Sequence, residues 1–120
     1  MSGELHREPD GHDVYTAQGP SRALLDLVAN KWSALIIGTL EEGPRRFGQI
    51  QQHLQGISPK MLTQTLRRLQ GNGLVDRVIY PAVPLHVEYS LTSRGRSAAA
   101  PLGLLRTWVE ENAGEAPRSG

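Results

Sequence analysis

Gly56-Ile57-Ser58-Pro59-Lys60-Met61-Leu62-Thr63-Gln64-Thr65-Leu66-Arg67-Arg68-Leu69-Gln70-Gly71-Asn72-Gly73 is the stretch whose reading decides the fold. Gly56 permits a sharp turn, since it lacks the Cβ that penalises positive φ. Ser58 has a side-chain oxygen suited to the first free amides of a helix, Pro59 brings a preset φ to the first helical position, and Gly71 to Gly73 closes the far end. At about 100° per residue with Lys60 at the origin, Gln64 falls near 40°, Arg67 near 340° and Thr63 near 300°, whereas Leu62, Leu66 and Leu69 cluster at roughly 180° to 240°. The spacing predicts a leucine face for a core and an opposite face of Lys, Thr, Gln and Arg. No carboxylate occurs between Leu54 and Val75, so that outer face carries one sign of charge where an ordinary solvated helix mixes both.

Upstream, Phe47, Ile50 and Leu54 suit the inner face of a short helix over Gly48 to Leu54, preceded by a short strand over Arg45 to Phe47. Gly43-Pro44 ends a helix over Lys31 to Leu40, in which Trp32, Leu35, Ile36 and Leu40 recur at intervals of three and four and predict the buried side. Pro20 opens a first helix with Leu24, Leu25, Leu27 and Val28, and Asn30 marks its break. Downstream, Val75 to Tyr80 and Leu85 to Leu91 read as strands, the second alternating Val87, Tyr89 and Leu91 with His86, Glu88 and Ser90. Pro81-Ala82-Val83-Pro84 joins them, and because proline donates no ladder hydrogen bond it belongs at a hairpin tip. Glu88 is expected to pair with a nearby arginine. Thr92 then caps a helix to about Asn112, with a kink expected at Pro101 and an apolar stripe of Leu102, Leu105, Trp108 and Val109. The pattern is α+β and mostly α: a winged helix-turn-helix with N- and C-terminal dimerisation helices over 19–112, between a flexible arm (1–18) and a flexible tail (113–120).

Composition bounds the answer. A chain of 120 residues, 38% of them hydrophobic, supports one domain with one modest core. No run approaches the ~20 apolar residues of a membrane span and the polar, acidic N-terminus is unlike a signal peptide, so a cytoplasmic location and no membrane partner are expected. With no cysteine present, disulfides, thiolate metal sites and thiol redox chemistry are excluded for this chain. The net charge of +1 hides an uneven distribution: Pro44 to Arg96 holds eight Lys/Arg against Asp76 and Glu88, a local excess of +6. A basic segment in a near-neutral chain is the electrostatic footprint of a nucleic-acid-binding element on a larger scaffold.

These side chains are the ones that read a duplex: Arg or Lys bonds guanine, Gln bonds adenine, and Thr meets a phosphate or a thymine methyl. Lys60, Thr63, Gln64 and Arg67 are assigned to the groove of double-stranded DNA, Ser58 and Arg68 to flanking phosphates, and Arg45, Arg46 and Arg77 to further phosphates. The competing readings are a solvated basic face and a winged-helix protein-interaction module without specific DNA binding. An enzyme is not expected. His6, His12, His53 and His86 are scattered, no HExxH or phosphate-binding glycine loop occurs, and no catalytic residue, metal site or cofactor is assigned. The terminal stripe and the Leu24 to Val28 face either close the monomer's own core or form a homodimer, the arrangement that lets two reading helices address a pseudo-palindrome.

The chain resembles the HxlR family of transcriptional regulators, similar in fold to MarR-like winged helix proteins. The resemblance rests on Ala23-Leu24-Leu25-Asp26-Leu27-Val28 with Lys31-Trp32, on Gly43-Pro44-Arg45-Arg46-Phe47, and most specifically on Gly56 to Gln64. It continues through Gly73-Leu74-Val75, Arg77, Tyr80-Pro81, Val83-Pro84, Val87-Glu88-Tyr89, Leu91-Thr92 and Gly95-Arg96, and covers roughly Gly19 to Asn112. It implies a homodimer built on the first and last helices and a recognition helix opened by Ser58-Pro59-Lys60. Many relatives carry a sensing cysteine just before the proline that opens the first helix; here that position is Gly19, so the thiol switch does not carry over. A non-covalent small-molecule effector stays open, with a pocket expected near Trp32 and Trp108, although core packing is the ordinary use of both.

Overall fold

The computed structural model describes residues 13–115. Seven elements follow in order: α1 (Pro20–Val28), α2 (Lys31–Leu40), α3 (Phe47–His53), α4 (Pro59–Gly71), β1 (Val75–Tyr80), β2 (His86–Leu91) and α5 (Ser93–Asn112), with a short 3₁₀ turn at Ala113–Glu115. The expected arm and tail lie mostly outside the described residues. The described part of the arm forms turns tied to α1, where Arg22 Nε donates to the Val14 carbonyl at 2.7 Å.

α2 is the hub, packing against α1, α3, α4, α5 and β2. It starts where α1 stops: the Asn30 side chain accepts from the Trp32 and Ser33 amides, satisfying donors a helix start leaves free, and the chain turns by 69° between the two helices. Its buried residues are Ser33, Ile36, Ile37, Thr39 and Leu40. This arc is displaced from the expected one. Leu35 is 37% exposed and Trp32 half-buried, because a helix covered on several sides buries a broad arc that a single-stripe reading does not locate. The core joins Ile36, Ile37 and Leu40 to Leu27, Ile50, Leu54, Ile57, Leu62, Leu66, Leu69, Leu74, Val75, Leu91, Ala99 and Leu102.

β1 and β2 form one antiparallel hairpin in which Val75 faces Leu91, Arg77 faces Tyr89 and Tyr80 faces His86. The strand expected at Arg45 to Phe47 is a single bridge: Arg45 N–H donates to the Tyr89 carbonyl at 3.0 Å and Tyr89 N–H returns to Arg45 at 2.8 Å, while Phe47 already begins α3. The alternation expected of β2 is absent. His86 to Ser90 are all half-buried, because the strand is flanked by β1 on one side and bridged by Arg45 on the other, with α2, α3 and α5 packed nearby. Leu85 belongs to the tip and not to the strand.

The base of the hairpin is fastened to α5. Thr92 Oγ1 donates to the Gly73 carbonyl at 2.6 Å and accepts from Gly95 N–H at 2.9 Å, so one hydroxyl closes a turn and caps a helix. Gly95 is buried and admits no side chain, since a Cβ there would lie 2.1 Å from the Leu74 carbonyl oxygen. α5 runs through Pro101 as one helix. Arg106 pins α5 to α2: its guanidinium lies over Gly38, where a Cβ would come within 2.8 Å of Cζ, and it donates to the Ala34 carbonyl at 3.3 Å and to Glu41 Oε1 at 2.8 Å. Gly95→Ala is expected to lower unfolding stability by about 2–3 kcal/mol through backbone overpacking. Gly48→Ala, where a Cβ meets nothing within 4 Å, should leave stability within about 1 kcal/mol of the parent; urea unfolding of the two variants is the comparison, and equal midpoints would contradict the packing described.

Candidate nucleic-acid interface

The site is built on α4. Ser58 Oγ accepts from Met61 N–H at 3.0 Å and Pro59 occupies the first turn, as the sequence predicts. At the other end, Asn72 Nδ2 donates to the Arg68 carbonyl at 2.8 Å and Gly73 takes φ +75°, letting Leu74 N–H reach back to the Leu69 carbonyl. Both ends are therefore closed by local hydrogen bonds, and packing alone fixes the rotation of the helix. Leu62, Leu66 and Leu69 face the core together with Thr65, whose hydroxyl donates to the Met61 carbonyl at 2.7 Å. A buried threonine can join a leucine face because its one polar group is satisfied within its own helix.

The opposite face carries the predicted residues. Ser58, Lys60, Gln64, Arg67 and Arg68 are exposed and Thr63 is half-buried. Two concave strips flank this ridge. Between α4 and the hairpin, Thr63, Leu66, Arg67, Gln70, Arg77 and Tyr89 line a groove of about 380 Å³. On the other flank, Met61, Gln64, Thr65, Arg67 and Arg68 meet Asn30 at the corner between α1 and α2. Arg67 borders both strips, and Arg77 is brought to the same groove although ten residues separate the two in sequence. Gln70, Tyr89 and Asn30 are absent from the sequence-based assignment. Gln70 was legible, since it falls near 280° on the same wheel, beside Thr63; the other two arrive only through tertiary packing.

Not every assigned arginine is equally placed. Arg45 is half-buried and engaged, its Nε donating to the Thr39 carbonyl at 2.9 Å and its Nη2 to Glu42 Oε1 at 2.7 Å. Its role in the structure is to hold the α2 terminus against β2. Arg46 is exposed ahead of α3, its backbone N–H donating to Gln49 Oε1 at 2.8 Å. Glu88 pairs with His86 at 3.4 Å and not with an arginine, because the two side chains stand two residues apart on one face of the same strand. His53 shares a hydrogen bond with the Thr39 hydroxyl. Among the described residues no group of three or more His, Cys, Asp or Glu side chains converges, and no single helix is long and apolar enough to cross a membrane.

Trp32 is half-buried, with the Lys31 ammonium 4.5 Å from its ring centre, whereas Trp108 is 61% exposed on α5 and fills no part of the monomer core. A groove between α2 and α5 is lined by Ala34, Leu35, Leu102, Leu105, Arg106 and Val109, together with Ala29, Lys31 and Glu110.

A leucine-backed, carboxylate-free helix set beside a hairpin with arginines converging between them is the winged helix-turn-helix arrangement, and the HxlR-like helix-turn-helix family matches residues 27–117. The chain belongs to that family. It is 40% identical over 100 residues to YtfH of Escherichia coli (strain K12), described as an uncharacterized HTH-type transcriptional regulator, a match covering 83% of this chain and 79% of the relative. The solved structure of ytfH from Salmonella typhimurium superposes with a TM-score of 0.80 at 39% identity, covering 86% of this chain and 92% of the other. The redox regulator HypR in its oxidized form gives a TM-score of 0.72 at 32% identity, covering 84% and 99%. As a member of a transcriptional-regulator family built on a helix-turn-helix, the HxlR-like chain has DNA as the partner its family implies.

Proposed function

We propose that this chain is a sequence-specific regulator that binds double-stranded DNA as a homodimer on a pseudo-palindromic operator, in the cytoplasm. The observation that carries the DNA reading is the division of α4: Leu62, Leu66 and Leu69 are at most 2% exposed, and the residues turned outward are Lys60, Gln64, Arg67 and Arg68, with Thr63 at their edge. A helix of this kind enters the major groove, about 12 Å wide, with its first turns nearest the base edges. Lys60, Thr63, Gln64 and Arg67 then reach base edges. Ser58, Arg68, Arg77 and Arg46 address phosphates, and Arg45 contributes by bracing the hairpin.

The dimer reading rests on a separate surface. Leu104, Leu105, Trp108 and Val109 on α5 and Leu25 on α1 are between 44% and 74% exposed, a concentration of large apolar side chains that a monomer in water does not keep without use. A second copy covering this face also closes the apolar groove between α2 and α5. Two copies related by a twofold axis present two α4 helices, and half-sites about one helical turn (~34 Å) apart match them. A signal acting through thiols has no residue to act on in this chain, so the redox regulation that HypR's description names does not extend to it; an effector, where one acts, binds non-covalently.

Fluorescence anisotropy on a duplex recovered by in vitro selection tests the DNA reading. The affinity should fall steeply with salt, and Arg68→Ala should weaken all duplexes alike and reduce the salt slope by about 1. Gln64→Ala should lose about 1–3 kcal/mol on the selected duplex and relax its sequence preference. Salt-insensitive binding, or no duplex binding while a protein partner is captured, contradicts the reading. For the dimer, sedimentation should show a two-chain species that Leu104→Asp/Trp108→Asp converts to folded monomers, and an unchanged mass in that variant would place the dimer elsewhere or remove it.

A further inference from the structure

A recess of about 320 Å³ lies between α2, the end of α3 and α5, and none of the residues assigned to DNA lines it. It runs into the apolar groove of about 300 Å³ along α2 and α5, since Leu35, Arg106 and Glu110 border both. Together the two reach the size of a small-molecule site. The charges at their junction are not paired with each other. Arg106 and Glu110 stand at i and i+4 on α5, the spacing at which opposite charges ordinarily meet, yet the guanidinium is turned to Glu41 and the Ala34 carbonyl. Glu110 is exposed and has no basic partner among the described residues.

The chemistry of the junction selects its occupant. Arg106 is seated over Gly38, and Ala34 and Glu41 engage only part of a guanidinium that carries five N–H donors. His53 adds a second polar group: the Thr39 hydroxyl engages its Nδ1, so Nε2 is the ring nitrogen left to the recess. These groups suit a carboxylate, and Glu110 suits an ammonium. In an α-amino acid the nitrogen and the carboxyl carbon are separated by two bonds of about 1.5 Å each, whereas Cβ atoms at i and i+4 of a helix lie about 5–6 Å apart, so one molecule can span both side chains. A simple carboxylate would set a further negative charge beside Glu41 and Glu110 with nothing to balance it. A simple amine would leave the remaining donors of Arg106 unused. Leu35, Leu102, Leu105 and Val109 in the adjoining groove supply an apolar wall for a side chain.

Resting on the regulator reading above, we propose that this junction is an effector site for an α-amino acid with a large apolar side chain. The carboxylate meets Arg106 and His53, the ammonium meets Glu110, and the side chain lies in the groove between α2 and α5 that a second copy closes. An occupant ties α5 to the end of α3, and so changes how the terminal helix sits on α2, the hub that also seats α4. Amino acid and duplex then alter each other's affinity by the same factor.

Isothermal titration calorimetry of the full chain with L-leucine and L-phenylalanine tests the site without DNA. At least one should bind saturably. Its analogue without the ammonium (4-methylpentanoate or 3-phenylpropanoate), its analogue without the carboxylate (3-methylbutylamine or 2-phenylethylamine) and glycine should each bind about tenfold more weakly or worse. Glu110→Gln should weaken the amino acid by about tenfold while leaving the ammonium-free analogue no weaker than before, a split that a merely structural role would not produce. Glu110 is exposed, and thermal melting equal to the parent's confirms that the variant is folded. No binding of either amino acid, or equal binding of the analogues, overturns the site. On the selected duplex, a saturating amino acid should shift affinity by about fivefold or more; calorimetric binding with an unchanged duplex affinity overturns the effector role. If the parent chain binds no duplex at all, the regulator reading fails, and the calorimetry still decides the site.

Discussion

The seating of the α4 leucine face in the core shared with α2 is the constraint on which the rest of the structure depends. Leu62, Leu66 and Leu69 join Ile36, Ile37 and Leu40 in one cluster in which each is at most 2% exposed. Burying a leucine is worth about 1.5–3 kcal/mol, so turning α4 by half a revolution would forfeit several such terms and bury unpaired arginines, each at a cost of several kcal/mol. The outward direction of Lys60, Gln64, Arg67 and Arg68 is therefore settled by the leucines. Caps at Ser58 and Asn72 fix where the helix starts and stops, while the core fixes which side looks out.

The same hub links the reading face to the surface proposed for dimerisation. α2 touches α4 on one side and α5 on another, and Arg106 clamps α5 across Gly38 to Ala34 and Glu41. At its far end, α5 is tied through Thr92 and Gly95 to the base of the hairpin. Recognition helix, wing and terminal helix are thus fixed to one another by short, directional contacts. In a dimer such a frame sets half-site spacing by geometry, because the two reading helices have no independent hinge between them and the shared core.

Much of this was legible in the sequence because the punctuation is strong. Asn30, Gly43-Pro44, Ser58-Pro59 and Thr92 mark element ends by local hydrogen-bond chemistry, and the structure puts the boundaries of α1, α2 and α4 where those residues predict. The exposed face of α4 was equally readable, since helical periodicity alone separates leucines from cations. What failed depends on tertiary surroundings. Leu35 is exposed because several neighbours cover α2 unevenly, and β2 shows no alternation because β1, α2, α3 and α5 all pack around it. Tyr89 and Asn30 reach the reading face through packing between distant segments, which no local pattern encodes. The solvent exposure of the hairpin tip belongs here too, since its composition could be read directly but not which way its side chains point.

Guanine N7 lies on the floor of the major groove and can be methylated without altering the phosphates. Methylation interference on the selected duplex is the most direct test that α4 reads base edges from that groove. Modified guanines should block binding in two clusters about 10 base pairs apart, matching twofold-related helices. Binding that tolerates methylation at every guanine of a guanine-containing selected site, while persisting at its original affinity, would contradict the central claim.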